Sequence, residues 1–139
     1  MPVPAQLPIE DRVAIGDLVT GYAWLLDHRR WHEVADLCTD DAVLTIRGRE
    51  IRGRAGLAEW AEHRAANRAR RTQHQMTLLR LEAVSPDVVA GTAALVLHVA
   101  KAGHGATYVD LVGEYRDEYV RTADGWRFRR RHLVTLDDG

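Results

Sequence analysis

The stretch from Gly21 to Ile46, GYAWLLDHRRWHEVADLCTDDAVLTI, sets the reading of the whole chain. It opens on the end of one helix that carries Tyr22 and Asp27. It continues into a short amphipathic helix from Trp31 to Cys38, then passes through Asp40-Asp41 into a strand over Ala42–Arg47. Asp27 follows Leu25 and Leu26, where a carboxylate is costly unless something pairs with it. We infer that the partner is His74, distant in sequence. Tyr22 lies roughly 140° around the helix from Asp27 and about 7.5 Å along it, so the two flank one cavity without touching.

Upstream, Ile9, Val13, Leu18, Val19, Tyr22 and Leu26 recur at helical spacing, with Glu10 and Asp11 at the favoured acidic end. Residues 1–8, MPVPAQLP, read as a flexible lead-in without the basic start or apolar core of a signal peptide. Downstream, Gly48 turns the chain into a second short strand at Arg49–Arg52. Gly53 then separates that strand from a third helix, Ala55–Asn67, with Leu57, Trp60, Ala61 and Arg64 along one face. Three long strand-like runs follow, Thr72–Val84, Val88–Lys101 and Thr107–Arg121, and a last strand runs from Trp126 to about Leu136. Turn sequences at Ser85-Pro86-Asp87, Ala102-Gly103-His104-Gly105 and Ala123-Asp124-Gly125 join them as hairpins. The runs exceed ordinary strand length, which predicts a curved sheet with bulges. The expected fold is α+β, one domain over 1–139: a curved antiparallel sheet forming a cone, with three N-terminal helices over its concave side. Such a cone makes a pocket.

The chain has 139 residues, 46% of them hydrophobic, enough for one core. A formal charge of −1 gives no general attraction to nucleic acid or an anionic membrane. Lys101 is the sole lysine among 19 basic residues, and the arginines are scattered through every segment. The single Cys38 excludes an internal disulfide and, without a membrane-length apolar run, suggests a cytoplasmic protein. No glycine-rich phosphate loop or nucleophile-elbow motif is present, and Cys38 has no evident activating partner.

Alternation sorts strand residues by face. In the last strand Trp126, Phe128, Arg130, His132, Val134 and Leu136 form the expected inward set. Arg127, Arg129, Arg131 and Leu133 form a solvated or subunit-facing row. His98 shares its face with Thr92, Ala94 and Val96, small residues that leave room for a ligand. Leu95, Leu97 and Val99 then face the other way, towards another subunit. Val109, Leu111, Tyr115, Asp117 and Tyr119 share a side, and His74 goes with Met76 and Leu78. A single histidine on an apolar strand face is ordinarily a satisfied core residue. Here one carboxylate, one tyrosine and up to three histidines converge on one cavity. His28 and His32 lack the helical metal-binding pattern and stand beside arginines, while His63 and His104 read as surface residues. No metal or other cofactor is expected.

Taken together, Tyr22-x4-Asp27, the Trp31 to Ala42 passage, His74 at the start of a long strand, Glu114-Tyr115-x3-Tyr119 and Asp124-Gly125-Trp126-Arg127-Phe128 make the chain resemble the SnoaL-like polyketide cyclases of the nuclear transport factor 2-like superfamily. It is most similar to the branch with scytalone dehydratase, the bile acid 7α-dehydratases and hexachlorocyclohexane dehydrochlorinase. The resemblance implies a cone fold, often dimeric or trimeric, with Asp27 and His74 as the catalytic dyad. It also implies Tyr22 as the pocket tyrosine and His98 as a second histidine. The dehydrochlorinase has lysine where this chain has Tyr22, and its late-strand arginine falls at His132, which disfavours halide elimination. The Asp-Arg-Asp set of the superfamily's epoxide hydrolases cannot be placed.

The implied reaction is loss of water from a small hydrophobic cyclic hydroxy-carbonyl compound. His74 would take the proton and Asp27 would hold the imidazole. Tyr22 would bond the carbonyl or departing hydroxyl, with His98 or His132 protonating the leaving group. Trp24, Met76, Leu78, Val96, Tyr115 and Phe128 are the expected substrate contacts. A cyclase or isomerase using the same proton transfer is one alternative, and a non-catalytic binder of a hydrophobic molecule is another. A homodimer or homotrimer is expected, with no nucleic-acid or membrane partner.

Overall fold

The computed structural model describes residues 7–103 and 105–138. The first six residues of the proline-rich lead-in and the reading of His104 as a loop residue fall outside them. Helix α1 spans Ile9–Asp27 and buries Ile15, Leu18, Val19, Tyr22, Ala23 and Leu26 along one stripe. Ile9 and Val13, expected on that stripe, are exposed, because the start of the helix presents Asp11 to the sheet instead, where it accepts from Arg121 and Trp126. The helix stops immediately after Asp27. Arg29 takes a left-handed φ of 61°, Arg30 N donates to Leu25 O at 2.8 Å, and Arg29 N donates to Leu26 O at 3.2 Å. This paired C-terminal closure strands Asp27 at the last helical position.

The expected second helix is a 3-10 helix, Trp31–Leu37. Its three-residue period places Trp31 and Val34 one above the other, both buried. Strand β1, Cys38–Ile46, begins four residues earlier than expected, and β2 is Arg49–Arg52. Helix α2, Gly53–Ala66, buries Leu57, Trp60 and Ala61. Strands β3 (Arg70–Ser85), β4 (Val88–Lys101), β5 (Tyr108–Thr122) and β6 (Gly125–Thr135) then form a run of hairpins, and a short 3-10 turn, Leu136–Asp138, follows. The six strands lie in one curved, unclosed sheet in the order β2-β1-β6-β5-β4-β3. The β1–β6 pair is parallel, unlike its four antiparallel neighbours, so the sheet is mixed where an antiparallel one was expected. No helix among the described residues is long and apolar enough to cross a membrane.

Bulges decide which residues face the core. Opposite Ala93, β3 carries two residues, Leu78 and Leu79, and Leu78 adopts φ 52°. On β6, Arg129 is the extra residue between the pairs Tyr119↔Phe128 and Glu118↔Arg130. One extra residue inverts the alternation beyond it. Trp126 and Phe128 therefore point inward as expected, but beyond the bulge Arg131 and Leu133 point inward while Arg130 and His132 point out. On β4 the faces are also the reverse of the expected ones. Ala93, Leu95, Leu97 and Val99 are buried beneath the helices, leaving Thr92, Ala94, Val96 and His98 on the outer side. Burying the large side chains wins over leaving ligand space.

Candidate functional site

A carboxylate at the C-terminal end of a helix faces the negative end of the helix dipole and needs strong donors. Asp27 receives three from β3. His74 Nδ1 donates to Oδ1 at 2.6 Å, Thr72 Oγ1 donates to Oδ1 at 2.9 Å, and the His74 backbone N–H donates to Oδ2 at 2.8 Å. Thr72 and His74 share the inward face of β3, two residues apart, so one strand edge supplies all three bonds. The pair is largely enclosed, with side chains 15% and 5% exposed. Because the carboxylate is acceptor-only, the Nδ1 bond leaves Nε2 as the free, basic nitrogen. Nε2 has no hydrogen-bond partner among the described residues, and His74 lines a cavity of about 320 Å³.

Tyr22, Leu26, Leu95, Tyr115 and Leu133 make the buried wall of that cavity, from α1, β4, β5 and β6. The Tyr22 hydroxyl is buried with no hydrogen-bond partner, so it is a donor without an acceptor. Burial pushes the Tyr22 phenol well above its ordinary pKa and also raises Tyr115, so both remain protonated donors. Burial likewise pushes the Cys38 thiol up to about 12, which makes it an inert core residue.

Beneath the tyrosines lies an ion pair that sequence reading missed. Arg131 and Asp117 are both fully buried. Arg131 Nε and Nη2 donate to the two Asp117 oxygens at 2.9 and 3.1 Å, and Tyr119 Oη donates to Asp117 Oδ2 at 2.7 Å. The guanidinium carbon lies 3.7 Å from the Tyr115 ring centroid and 4.4 Å from those of Tyr22 and Phe128. Burial works against this charge, and the paired Asp117 more than offsets it, holding Arg131 above its ordinary pKa. The cation is thus locked under the aromatic floor of the cavity. Its signal was an acidic residue, Asp117, on an apolar strand face. The bulge at Arg129 hid the partner.

The structure brings Asp27, His74, Tyr22 and Tyr115 to one place and moves the other expected residues elsewhere. His98 and Val96 lie on the outer face of β4, and His132 lies on the outer face of β6 in a separate groove with Arg116 and Arg130. Leu78 is 82% exposed on its bulge. Trp24 is 48% exposed and stacks on His28 with ring centroids 4.0 Å apart. Met76 points inward but lines a different groove, between α1 and β3. Phe128 is buried beneath Tyr22 and does not line the cavity. The inward late-strand residue is Arg131 and not His132. His63, read as a surface residue, is exposed at the cavity rim. Among the described residues no three His, Cys, Asp or Glu side chains cluster as metal ligands.

A sequence profile of the SnoaL-like domain matches residues 8–132. Among solved structures, Rv3472 from Mycobacterium tuberculosis, a protein of unknown function, is 28% identical over 94% of this chain and 81% of its own, with a TM-score of 0.82. The type 2 hexachlorocyclohexane dehydrochlorinase LinA is 27% identical over 92% of this chain and 86% of its own, with a TM-score of 0.81. A scytalone dehydratase-like protein from Novosphingobium aromaticivorans shares the fold at 22% identity over 92% and 85% of the two chains, with a TM-score of 0.81. No curated protein matches the sequence.

Proposed function

This chain belongs to the SnoaL-like domain family, with the cone fold of the nuclear transport factor 2-like superfamily, and we propose that it is a cofactor-independent dehydratase acting on a small cyclic hydroxy-carbonyl compound. The supporting observation is the fixed Asp27–His74 pair, whose free Nε2 belongs to a residue lining the same cavity as an unpartnered Tyr22 hydroxyl. His74 Nε2 takes the proton α to the carbonyl, and Asp27 stabilises the imidazolium that forms. Tyr22, with Tyr115 beside it, donates to the carbonyl oxygen as negative charge develops there. The buried Arg131 cation lies beneath those two rings.

With His98 and His132 on the outer face, neither reaches the leaving group. The imidazolium of His74 is then the acid that returns its proton to the departing hydroxyl. The C–H and C–O bonds break on one face, a C=C bond forms, and water leaves. A cyclase or isomerase would use the same first proton transfer. The outer face of the sheet, with Ala94, Val96, Val112 and Val134, supports a homodimer or homotrimer, checked by molecular mass in solution.

The test is mass spectrometry of small molecules that co-purify with His74→Ala protein, followed by their incubation with the wild type. A product lighter by one water supports dehydration. A product of unchanged mass with altered retention assigns a cyclase or isomerase. A ligand that binds wild type and His74→Ala alike and is never converted makes the protein a binder and ends the catalytic reading.

A further inference from the structure

The cavity is not uniformly apolar. Its exposed side carries Arg47, Arg49, Arg64 and Arg70 together with His63. The only carboxylate paired with any of these arginines among the described residues is Asp110, which Arg47 and Arg70 share. Arg49 and Arg64 have no acidic partner among the described residues, and Arg64 Nε is buried with no hydrogen-bond partner at all. Of the other arginines, the exposed Arg71, Arg80 and Arg130 also lack a carboxylate among the described residues, so it is the buried Nε of Arg64 that sets the rim apart. Arg30, Arg54, Arg121 and Arg129 each hold a carboxylate. The chain as a whole carries a formal charge of −1, so this concentration of positive charge is local.

We propose that this basic rim is a head-group site for an anionic oxygen group of the substrate, a carboxylate or a phosphate. The ring of the substrate then occupies the apolar wall beside His74. The proposal rests on the catalytic reading only in using the same cavity, and it narrows the substrate class from a neutral ring compound to an amphiphilic acid. A guanidinium does not discharge, so a half-buried Arg64 without a partner is an unmet demand for an anion. Burial, and then the positive charges of Arg70 and Arg47, lower its pKa, which an incoming anion would reverse. A cleft lined by one sign of charge also concentrates and orients ligands of the opposite sign. Planar guanidinium forks match the oxygens of a carboxylate or phosphate. The volume of about 320 Å³ suits a compact ring body with one such group.

The experiment compares three probes with one ring system, naphthoate, naphthyl phosphate and the neutral naphthamide, by calorimetric titration of the intact chain at low salt. At least one anion is expected to bind roughly ten- to a hundredfold tighter than the amide, the size of one or two charge-assisted hydrogen bonds. The tighter anion assigns the head group. Arg64→Gln should remove about tenfold of that preference. Arg64→Lys should keep part of it, and Arg116→Gln, on the outer face, should leave it unchanged. If Arg64→Gln does not fold by circular dichroism, Arg49→Gln, at an exposed position, serves in its place. Equal binding of the amide and both anions overturns the proposal, as does a preference that persists in both Arg64→Gln and Arg49→Gln. Because binding alone is measured, the outcome is independent of whether His74 removes a proton.

Discussion

His74→Ala loses turnover by about a thousandfold or more while its circular dichroism spectrum and unfolding transition stay close to wild type. The size follows from the contribution of a positioned base, roughly 10²–10⁴ in rate. Here the side chain is also the acid that returns the proton. The fold should survive because the His74 backbone N–H still donates to Asp27 Oδ2, and Thr72 still donates to Oδ1. Asp27→Asn is expected to cost ~10²–10⁴ in kcat with little change in KM, because an amide nitrogen accepts no hydrogen bond, so the three β3 donors cannot all be satisfied and the imidazole loses its fixed tautomer. Steady-state kinetics on a converted substrate is the check. A His74→Ala protein retaining most of its kcat removes the proton-transfer mechanism.

The second large effect is on stability. Asp117→Asn leaves the Arg131 guanidinium fully buried against an amide, and breaking such a pair costs about 3–5 kcal/mol. Chemical denaturation should show a lower midpoint with an unchanged slope. Arg131→Met alone should be comparably harmful, since it leaves Asp117 with only the Tyr119 hydroxyl as a donor. The double variant Arg131→Met with Asp117→Leu should recover much of the loss, because packed apolar side chains avoid the cost of burying two charges. Additive losses in the double variant would show that the two residues do not act as a pair.

These effects also mark how far the amino-acid sequence can be read. The element order was legible because helical spacing before Ala66 gives way to long alternating runs after Arg70. The need of Asp27 for a partner was legible because a carboxylate beside Leu25 and Leu26 is costly unpaired, and the family resemblance pointed to His74 as that partner. What defeated the reading was the phase of the strands. On β6 a single extra residue at Arg129 exchanges His132 for Arg131, so the residue taken to be solvated is among the most buried in the chain. On β4 both faces are apolar, and alternation cannot say which lies beneath the helices. Only the packing of Leu95, Leu97 and Val99 there settles it. The rim arginines were invisible for another reason. Arg47, Arg49, Arg64 and Arg70 come from the β1–β2 turn, β2, α2 and β3, and only tertiary structure brings them together.

The central claim is that Asp27 fixes the imidazole of His74 with its proton on Nδ1 and its Nε2 free towards the cavity. Long-range proton–nitrogen correlation spectroscopy of the imidazole nitrogens, at a pH where the ring is neutral, reads this directly and needs no substrate. The account predicts a single tautomer for His74, protonated at Nδ1, that gives way to a mixture or to the Nε2-protonated form in Asp27→Asn. A His74 protonated at Nε2 in the wild type, or a tautomer unchanged by Asp27→Asn, would contradict it.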